Sequence, residues 1–369
     1  MLDEERNYWL GFSVFSGIGP IKFKRLISQF GSAKDAWEAS VFDLTGVLRE
    51  RLAEKFDRFR NKFSISDYAR ILLSKGLSLL TLKDEGYPQL LSKIKNPPFL
   101  LYVKGNTEIL LRQMTDQNDR IIAVVGTRRT TSYGREVTKI LTQDLVMAGF
   151  TIVSGLAMGI DAISHKTAID NGGKTIAVLG CGVDCCYPRE NQSIYNSIVV
   201  SGSCVVSEYP LAQLPTKGSF PSRNRIIAGL GMGVLVTEGA EDSGSLITAD
   251  YAIKFGRKVF AVPGPITSSM SKGPYKLISR GAKLVTTAKD ILDSLGVDSG
   301  SRIKNQELRI KKGDTKEEQK ILDLLQNEPM HFDEIVRETG LQSSSVGSML
   351  SVMEMKGMVK SLEGGMFSI

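Results

Sequence analysis

The sequence predicts an α/β protein: a parallel, doubly wound sheet with a helical segment before it and a winged helix after it. Three observations carry this. Apolar, β-branched runs recur from Ile121 to Thr287, with helical stretches between most of them. Such runs are apolar on both faces, so they need cover on both faces, which a parallel sheet between two helix layers provides. The last 55 residues read as three helices and then two short strands around Gly364 and Gly365.

In chain order, residues 1–75 form a helical domain: YWLGFSVF, PIKFKRLISQF, SAKDAWEAS and an amphipathic run to Lys75. SGIGP joins the first two helices, and Lys22, Lys24 and Arg25 follow in the next first turn. This resembles a SAM or helix-hairpin-helix unit, in which backbone N–H groups at a helix N-terminus meet a phosphate. The plainer reading is that Gly17 and Gly19 permit a tight turn.

Residues 76–297 form the second domain. Leu77 to Gln113, including the strand-like PFLLYV, adds edge structure. IIAVVG, FTIVSG, KTIAVLG, SCVVSEYP, MGVLVTEG, KVFAVPG and AKLVTT then supply the strands. Residues 298–314 read as a polar linker and 315–369 as the winged helix.

Composition bounds the function. The 369 residues are 42% apolar, and no apolar stretch approaches the ~20 residues of a membrane span. Without a leader pattern, a cytoplasmic protein is expected. The net charge is +7. From Thr315 onward five Lys/Arg face nine Asp/Glu, a net of −4, which leaves +11 on residues 1–314. A polyanion is therefore expected to meet the body and not the tail. Cys181, Cys185, Cys186 and Cys204 lack paired zinc spacing, so reduced thiols packed near strand ends are expected, with no metal or cofactor.

In a doubly wound sheet ligands sit outside the C-terminal strand ends. The first strand runs into Gly126, Thr127 and Arg128, where an anion can approach a helix N-terminus and Arg128 can pair with phosphate. The second ends in Ser154 and Gly155, and the fifth in Gly244 and Ser245. The three turns are expected to form one phosphate-lined surface. Lys217 to Leu230, KGSFPSRNRIIAGL, combines cations with an aromatic, which suits single-strand chemistry: a base stacks while cations hold phosphates. Lys217, Phe220, Arg223, Asn224 and Arg225 are its candidate contacts, the last three at a helix start where the arginines can alternatively brace neighbouring strand ends. Arg189 is counted with them.

GGKT at Gly172 to Thr175 is no P-loop, because it leads from helix into strand. GLGMGV precedes its strand and reads as a helix stop. Asp161, Glu208, Glu238 and Asp250 occur singly, and neither Ser154 nor Ser245 has an evident base, so catalysis is not expected.

VVGTRRTTSYG, SGLAMGIDAISHKTAI, TIAVLGCGVDCCYPREN, FPSRNRIIAGL and the run from SGSLITA to VPG resemble, in order, the motifs of the DNA-processing protein A family (DprA, also called Smf). The resemblance implies an extended Rossmann fold that binds single-stranded DNA, often as a homodimer, and helps load the RecA recombinase in DNA recombination or natural transformation. It also implies that Arg128 holds backbone phosphate and that Lys217 and Phe220 contact the strand, Phe220 at a base. The competing reading is a nucleotide-processing enzyme of the nucleoside monophosphate hydrolase type; a third is a protein adaptor without affinity for DNA. In the tail, Ser343, Ser344 and Ser345 open the third helix with no cation before Lys356, so protein contact is expected there instead of duplex recognition.

Overall fold

The computed structural model describes residues 4–111, 120–297, 313–325 and 329–368. The chain divides into two compact units, Met1–Gly300 and Ser301–Ile369. Most of the expected linker, residues 298–312, lies outside the described residues.

Helices α1 (Glu4–Val14), α2 (Pro20–Phe30), α3 (Ala33–Glu38), α4 (Val41–Thr45), α5 (Glu50–Arg60) and α6 (Ile65–Ser74) open the first unit. Ser32, Ser40 and Ser64 cap α3, α4 and α6 through their side chains, which explains why these short polar-to-apolar junctions start helices. Aromatic rings fill the space between them: Phe12 stacks on Phe56 at 5.0 Å, and Phe23 on Phe99 at 4.0 Å. Phe99, Leu100 and Tyr102 lie at the edge of the sheet and share this core, so the helices and the sheet form one unit.

The sheet begins with β1 (Leu77–Thr81), α7 (Gln89–Ser92), β2 (Leu100–Gly105) and α8 (Glu108–Leu111). β3 (Arg120–Val125), α9 (Ser132–Met147), β4 (Phe150–Ser154), α10 (Ile160–Asp170), β5 (Thr175–Leu179), α11 (Gln192–Val200) and β6 (Cys204–Ser207) follow. Then come α12 (Ser219–Leu230), β7 (Gly233–Val236), α13 (Ser245–Lys254), β8 (Lys258–Ala261), α14 (Lys272–Ser279), β9 (Lys283–Leu284) and α15 (Ala288–Leu295). The nine strands order β1-β2-β6-β5-β4-β3-β7-β8-β9. β3 to β9 pair in parallel, while β2 adds to β6 antiparallel and β1 to β2 likewise. The fold is thus the expected mostly parallel sheet, with the Leu77 segment at one edge.

The topology fixes where a ligand can sit. From β3 the chain steps one way through β4, β5 and β6, then returns past β3 to β7, β8 and β9. The order reverses between β3 and β7, and connections leaving that point diverge to opposite faces and open a crevice. Ile121, Ala123 and Val125 face a core shared with Ile226, Ile227 and Leu230 of α12 and with Leu246 and Ala249 of α13. Each such buried aliphatic side chain contributes about 1.5–3 kcal/mol. The crevice therefore has a rigid floor.

The second unit holds α16 (Lys316–Leu325), β10 (Met330–His331), α17 (Phe332–Thr339), α18 (Ser343–Met355), β11 (Lys360–Leu362) and β12 (Met366–Ser368). The strands order β10-β12-β11, all antiparallel, with Gly364 and Gly365 at positive φ between β11 and β12. This is a winged helix. Met353 is in its core and Met349 is packed against it, whereas Met355 is 83% exposed.

Candidate nucleic-acid interface

At the β3/β7 reversal the C-terminal strand ends border a cleft of ≈ 670 Å³. One wall is the start of α12. Thr216 and Ser219 cap each other: the Ser219 N–H donates to Thr216 Oγ1 at 3.2 Å, and the Thr216 N–H to Ser219 Oγ at 3.0 Å. This pair and Pro221 in the first turn start the helix at Ser219, four residues before the expected Arg223. Phe220 therefore projects from a first helical turn and not from a loop. It is half-buried beside Gly180, where a Cβ would come within 3.2 Å of its ring. The exposed Arg128 places its guanidinium 5.5 Å from the Phe220 centroid, a cation–π distance, and the Tyr187 ring lies 5.6 Å away on its own exposed loop. Lys217 is exposed at the same wall.

The strand-end turns differ from the expected single phosphate-lined surface. After β3, the N-terminus of α9 is closed by the protein's own acid. Glu238, buried at the end of β7, accepts from Thr131 N–H at 3.0 Å and from Thr131 Oγ1 at 2.6 Å. A Cβ on Gly134 would fall inside that carboxylate. An anion cannot reach this helix end as the sequence reading had it, because a charge of the same sign is already there. Thr127 is buried too, donating its N–H to the Glu238 carbonyl at 2.8 Å and accepting from Arg129 N–H at 3.1 Å. Gly126 and Thr127 thus shape the turn that projects Arg128.

The β4 turn is filled in the same way. Ser154 is fully buried and donates its hydroxyl to Val124 O at 2.7 Å, while Gly155 N–H donates to Asp161 Oδ2 at 3.1 Å. Leu156 follows at φ 55, its N–H held by His165 Nε2 at 3.3 Å. Ser154 and Gly155 therefore build the wall and do not reach the cleft. The first turn reaches the cleft through Arg128 and Arg129, and the third opens into it as well. Gly244 and Ser245 at the start of α13 line the cleft with Asp242, and Ser243 Oγ lies 2.8 Å from Ser245 Oγ.

Of the two arginines in α12, neither offers a free guanidinium. Arg223 is 4% exposed and donates to the carbonyls of Gly155 and Val178. Burial raises the pKa of nearby Asp161, and Arg223 pulls it back down; burial lowers that of Arg223 itself. Arg225 lies off the cleft in a two-pronged contact with Glu208, 2.6 and 2.7 Å from its carboxylate oxygens. Burial pushes the Glu208 pKa up and Arg225 draws it down. Both arginines are braces, as the alternative reading allowed. Their partners lie on other strand ends, where a sequence window cannot see them.

Asn224 lines the cleft and donates to Gly244 O at 3.3 Å, tying α12 to α13. Arg189 is exposed at a separate hollow with Cys185 and Cys186. The cleft thus gathers Gly126, Thr127, Arg128, Lys217, Phe220, Arg223, Asn224, Gly244 and Ser245, and leaves out Ser154, Gly155, Arg189 and Arg225. Sequence reasoning missed Arg129 and Tyr187. Arg129 was legible as the second half of an Arg-Arg pair; Tyr187 carried only the weak signal of an aromatic in a polar segment. Three exposed cations, Arg128, Arg129 and Lys217, face one exposed acid, Asp242, while the buried Arg223 and Asp161 offset each other, so the cleft favours an anion.

Among the described residues no helix is long and apolar enough to cross a membrane, and no group of three or more His, Cys, Asp or Glu is placed to hold a metal.

Residues 78–296 match the family model for DNA recombination-mediator protein A, and residues 308–365 match that for the DprA winged helix domain. The chain is 36% identical to the Protein Smf of Synechocystis sp. over 99% of both chains. It is 42% identical to the DNA processing protein DprA of Bacillus subtilis over 60% of this chain and 72% of that one. The X-ray structure of DprA from Streptococcus pneumoniae superposes with a TM-score of 0.66 at 34% identity, covering 79% of this chain and 98% of that one. A Helicobacter pylori DNA processing protein A structure, described for its single-stranded DNA binding mode, gives 0.52 at 30% identity over 59% and 95%.

Proposed function

The chain belongs to the DNA recombination-mediator protein A family, and from that premise we propose how it grips its strand. It is a DNA-binding recombination mediator. Single-stranded DNA crosses the β3/β7 cleft, with phosphates on Arg128, Arg129 and Lys217 and a base against Phe220. Tyr187 offers the neighbouring base a second ring, and the Gly244 turn faces the strand from the opposite wall. The observation that carries this reading is the pairing of Arg128 with Phe220, which puts a cation and a stacking face at the one point where the strand order reverses. Stacking is sequence-tolerant because every base has a π-face, so the grip suits a strand of any sequence.

The role of a non-enzymatic mediator is supported by what the acids do. Asp161 holds a turn, Glu208 pairs with Arg225 and Glu238 caps a helix. Each is committed to the framework, which argues against nucleotide hydrolysis. We further propose that the protein works as a homodimer that hands its strand to the RecA recombinase in the cytoplasm, a setting that its four free cysteines suit.

Fluorescence anisotropy with single-stranded and duplex oligonucleotides at matched salt tests the grip. The single strand should bind more tightly, and equal affinity for the duplex would overturn the stacking site.

A further inference from the structure

Three thiols that the DNA reading does not use cluster at the loop that carries Tyr187, two of them lining a hollow and the third buried behind it. Cys181, 1% exposed, follows β5 and donates its S–H to the Cys185 carbonyl at 3.1 Å. The turn between Cys181 and Cys185 is closed by Cys185 N–H to Gly182 O at 2.9 Å. Cys186 donates to Pro188 O at 3.4 Å. The backbone on either side of Tyr187 is therefore tied by thiol protons. Cys185 and Cys186 are half-buried and line a hollow of ≈ 420 Å³ with the exposed Arg189. A small molecule can enter there, and Arg189 suits one that carries a carboxylate.

We propose that Cys185 is a thiol-modification site: it reacts with a carboxylate-bearing, low-molecular-weight disulfide and passes the oxidation to Cys181, closing a Cys181–Cys185 disulfide that draws the Tyr187 loop away from Phe220. In the first step the Cys185 sulfur attacks one sulfur of the external disulfide. That S–S bond breaks, one small thiol leaves with the electron pair and takes up the Cys185 proton, and a mixed disulfide remains. Cys181 then attacks the Cys185 sulfur, and the second small thiol leaves with the Cys181 proton. Two protein thiols are oxidised and one external disulfide is reduced to two thiols.

Geometry selects this pair. Cys185 and Cys186 are adjacent, and a bridge between them would have to distort the planar peptide that joins them. Cys181 Sγ already lies 3.1 Å from the Cys185 carbonyl oxygen, on the same residue as the attacking thiol. Burial pushes the Cys181 thiol up to about 12, so it attacks slowly but is also a poor leaving group, and the disulfide, once closed, reopens slowly. Closure exchanges the S–H hold on the Cys185 carbonyl for an S–S bond, whose geometry turns that carbonyl and moves the backbone two residues before Tyr187.

The effect on DNA rests on the cleft reading given above, and the test separates the two. The full-length protein is incubated with oxidised glutathione, its intact mass and alkylated peptides are measured, and affinity for an oligothymidine strand is read before oxidation, after it and after added reductant. The expected result is a loss of two hydrogens mapped to Cys181–Cys185, with affinity falling about five- to tenfold, as for loss of part of one stacking contact, and returning on reduction. Cys181→Ser keeps a hydroxyl donor for the Cys185 carbonyl and should stop at the glutathione adduct on Cys185; Cys185→Ser should give neither product. An unmodified Cys185, or a disulfide that leaves affinity unchanged, overturns the proposal. Equal binding by the reduced wild type and Phe220→Ala would instead sink the cleft reading, while the mass result would stand.

Discussion

The Arg128 guanidinium sits 5.5 Å from the centre of the Phe220 ring, although one residue leaves β3 and the other opens α12. Each orders the other before any strand arrives. Phe220→Ala should weaken binding to single-stranded DNA about tenfold, within the ~1–3 kcal/mol of a base–aromatic contact. Arg128→Ala should do the same, and the double substitution should cost less than the sum of the two, because either loss frees the partner. An additive cycle in anisotropy titrations would show that the pair is not one unit.

Lys217 is exposed at the lip of the cleft, and in the proposed grip it acts through charge alone. Lys217→Ala should weaken binding to oligonucleotides of different sequence by a similar factor. It should also lower the slope of log affinity against log salt by ~0.7, one phosphate contact on a single strand. A salt titration with two unrelated sequences checks both points.

Arg225 braces, so its loss should appear in stability before it appears in binding. Arg225→Met leaves the buried Glu208 carboxylate without its counter-charge, at about 3–5 kcal/mol. The sign of the pH dependence follows from burial. Without the arginine the Glu208 pKa rises further, and the folded protein then holds that proton more tightly than the unfolded chain does. The deficit should be largest near neutral pH and shrink as pH falls through the raised carboxylate range. Urea denaturation of wild type and variant across that range measures it.

His165 gives the opposite acid response. Its Nε2 accepts from Leu156 N–H, and its Nδ1 lies 2.6 Å from Thr175 Oγ1, which itself donates to Ile152 O; the network fits a neutral ring. Burial, with a smaller push from Arg223, lowers its pKa from 6.5 to about 3. The unfolded chain binds this proton first, so the stability it supports is complete above about pH 6.5 and is lost toward pH 3, at about 1.4 kcal/mol per unit. His165→Asn should flatten that part of the stability profile.

Much of the fold was legible because its signals are local. Continuous apolar runs such as IIAVVG and KTIAVLG can only be strands covered on both faces, and their spacing announced the sheet. That Lys217, Phe220 and Arg128 meet at one cleft was legible for a related reason, as cations and an aromatic in segments without acids. What stayed hidden was pairing at a distance. Ser154, Arg223 and Arg225 looked like ligands because their partners Val124, Val178 and Glu208 come from other strand ends, and Gly155 because Asp161 folds back on it from the first turn of α10. The same holds for Glu238, whose carboxylate reaches across to α9. The start of α12 was misjudged because the Thr216–Ser219 cap is reciprocal and lacks an acid at the third position.

The carboxylate that Glu238 lays across the first turn of α9 decides which anions that turn can admit. In many doubly wound proteins that turn is the berth for a mononucleotide phosphate. Here it is plugged by a fixed negative charge held through two hydrogen bonds to Thr131. A free nucleotide phosphate brought to that turn would meet a charge of its own sign. In the proposed grip the strand lies instead along the exposed rim of Arg128, Arg129 and Lys217, away from the plugged turn.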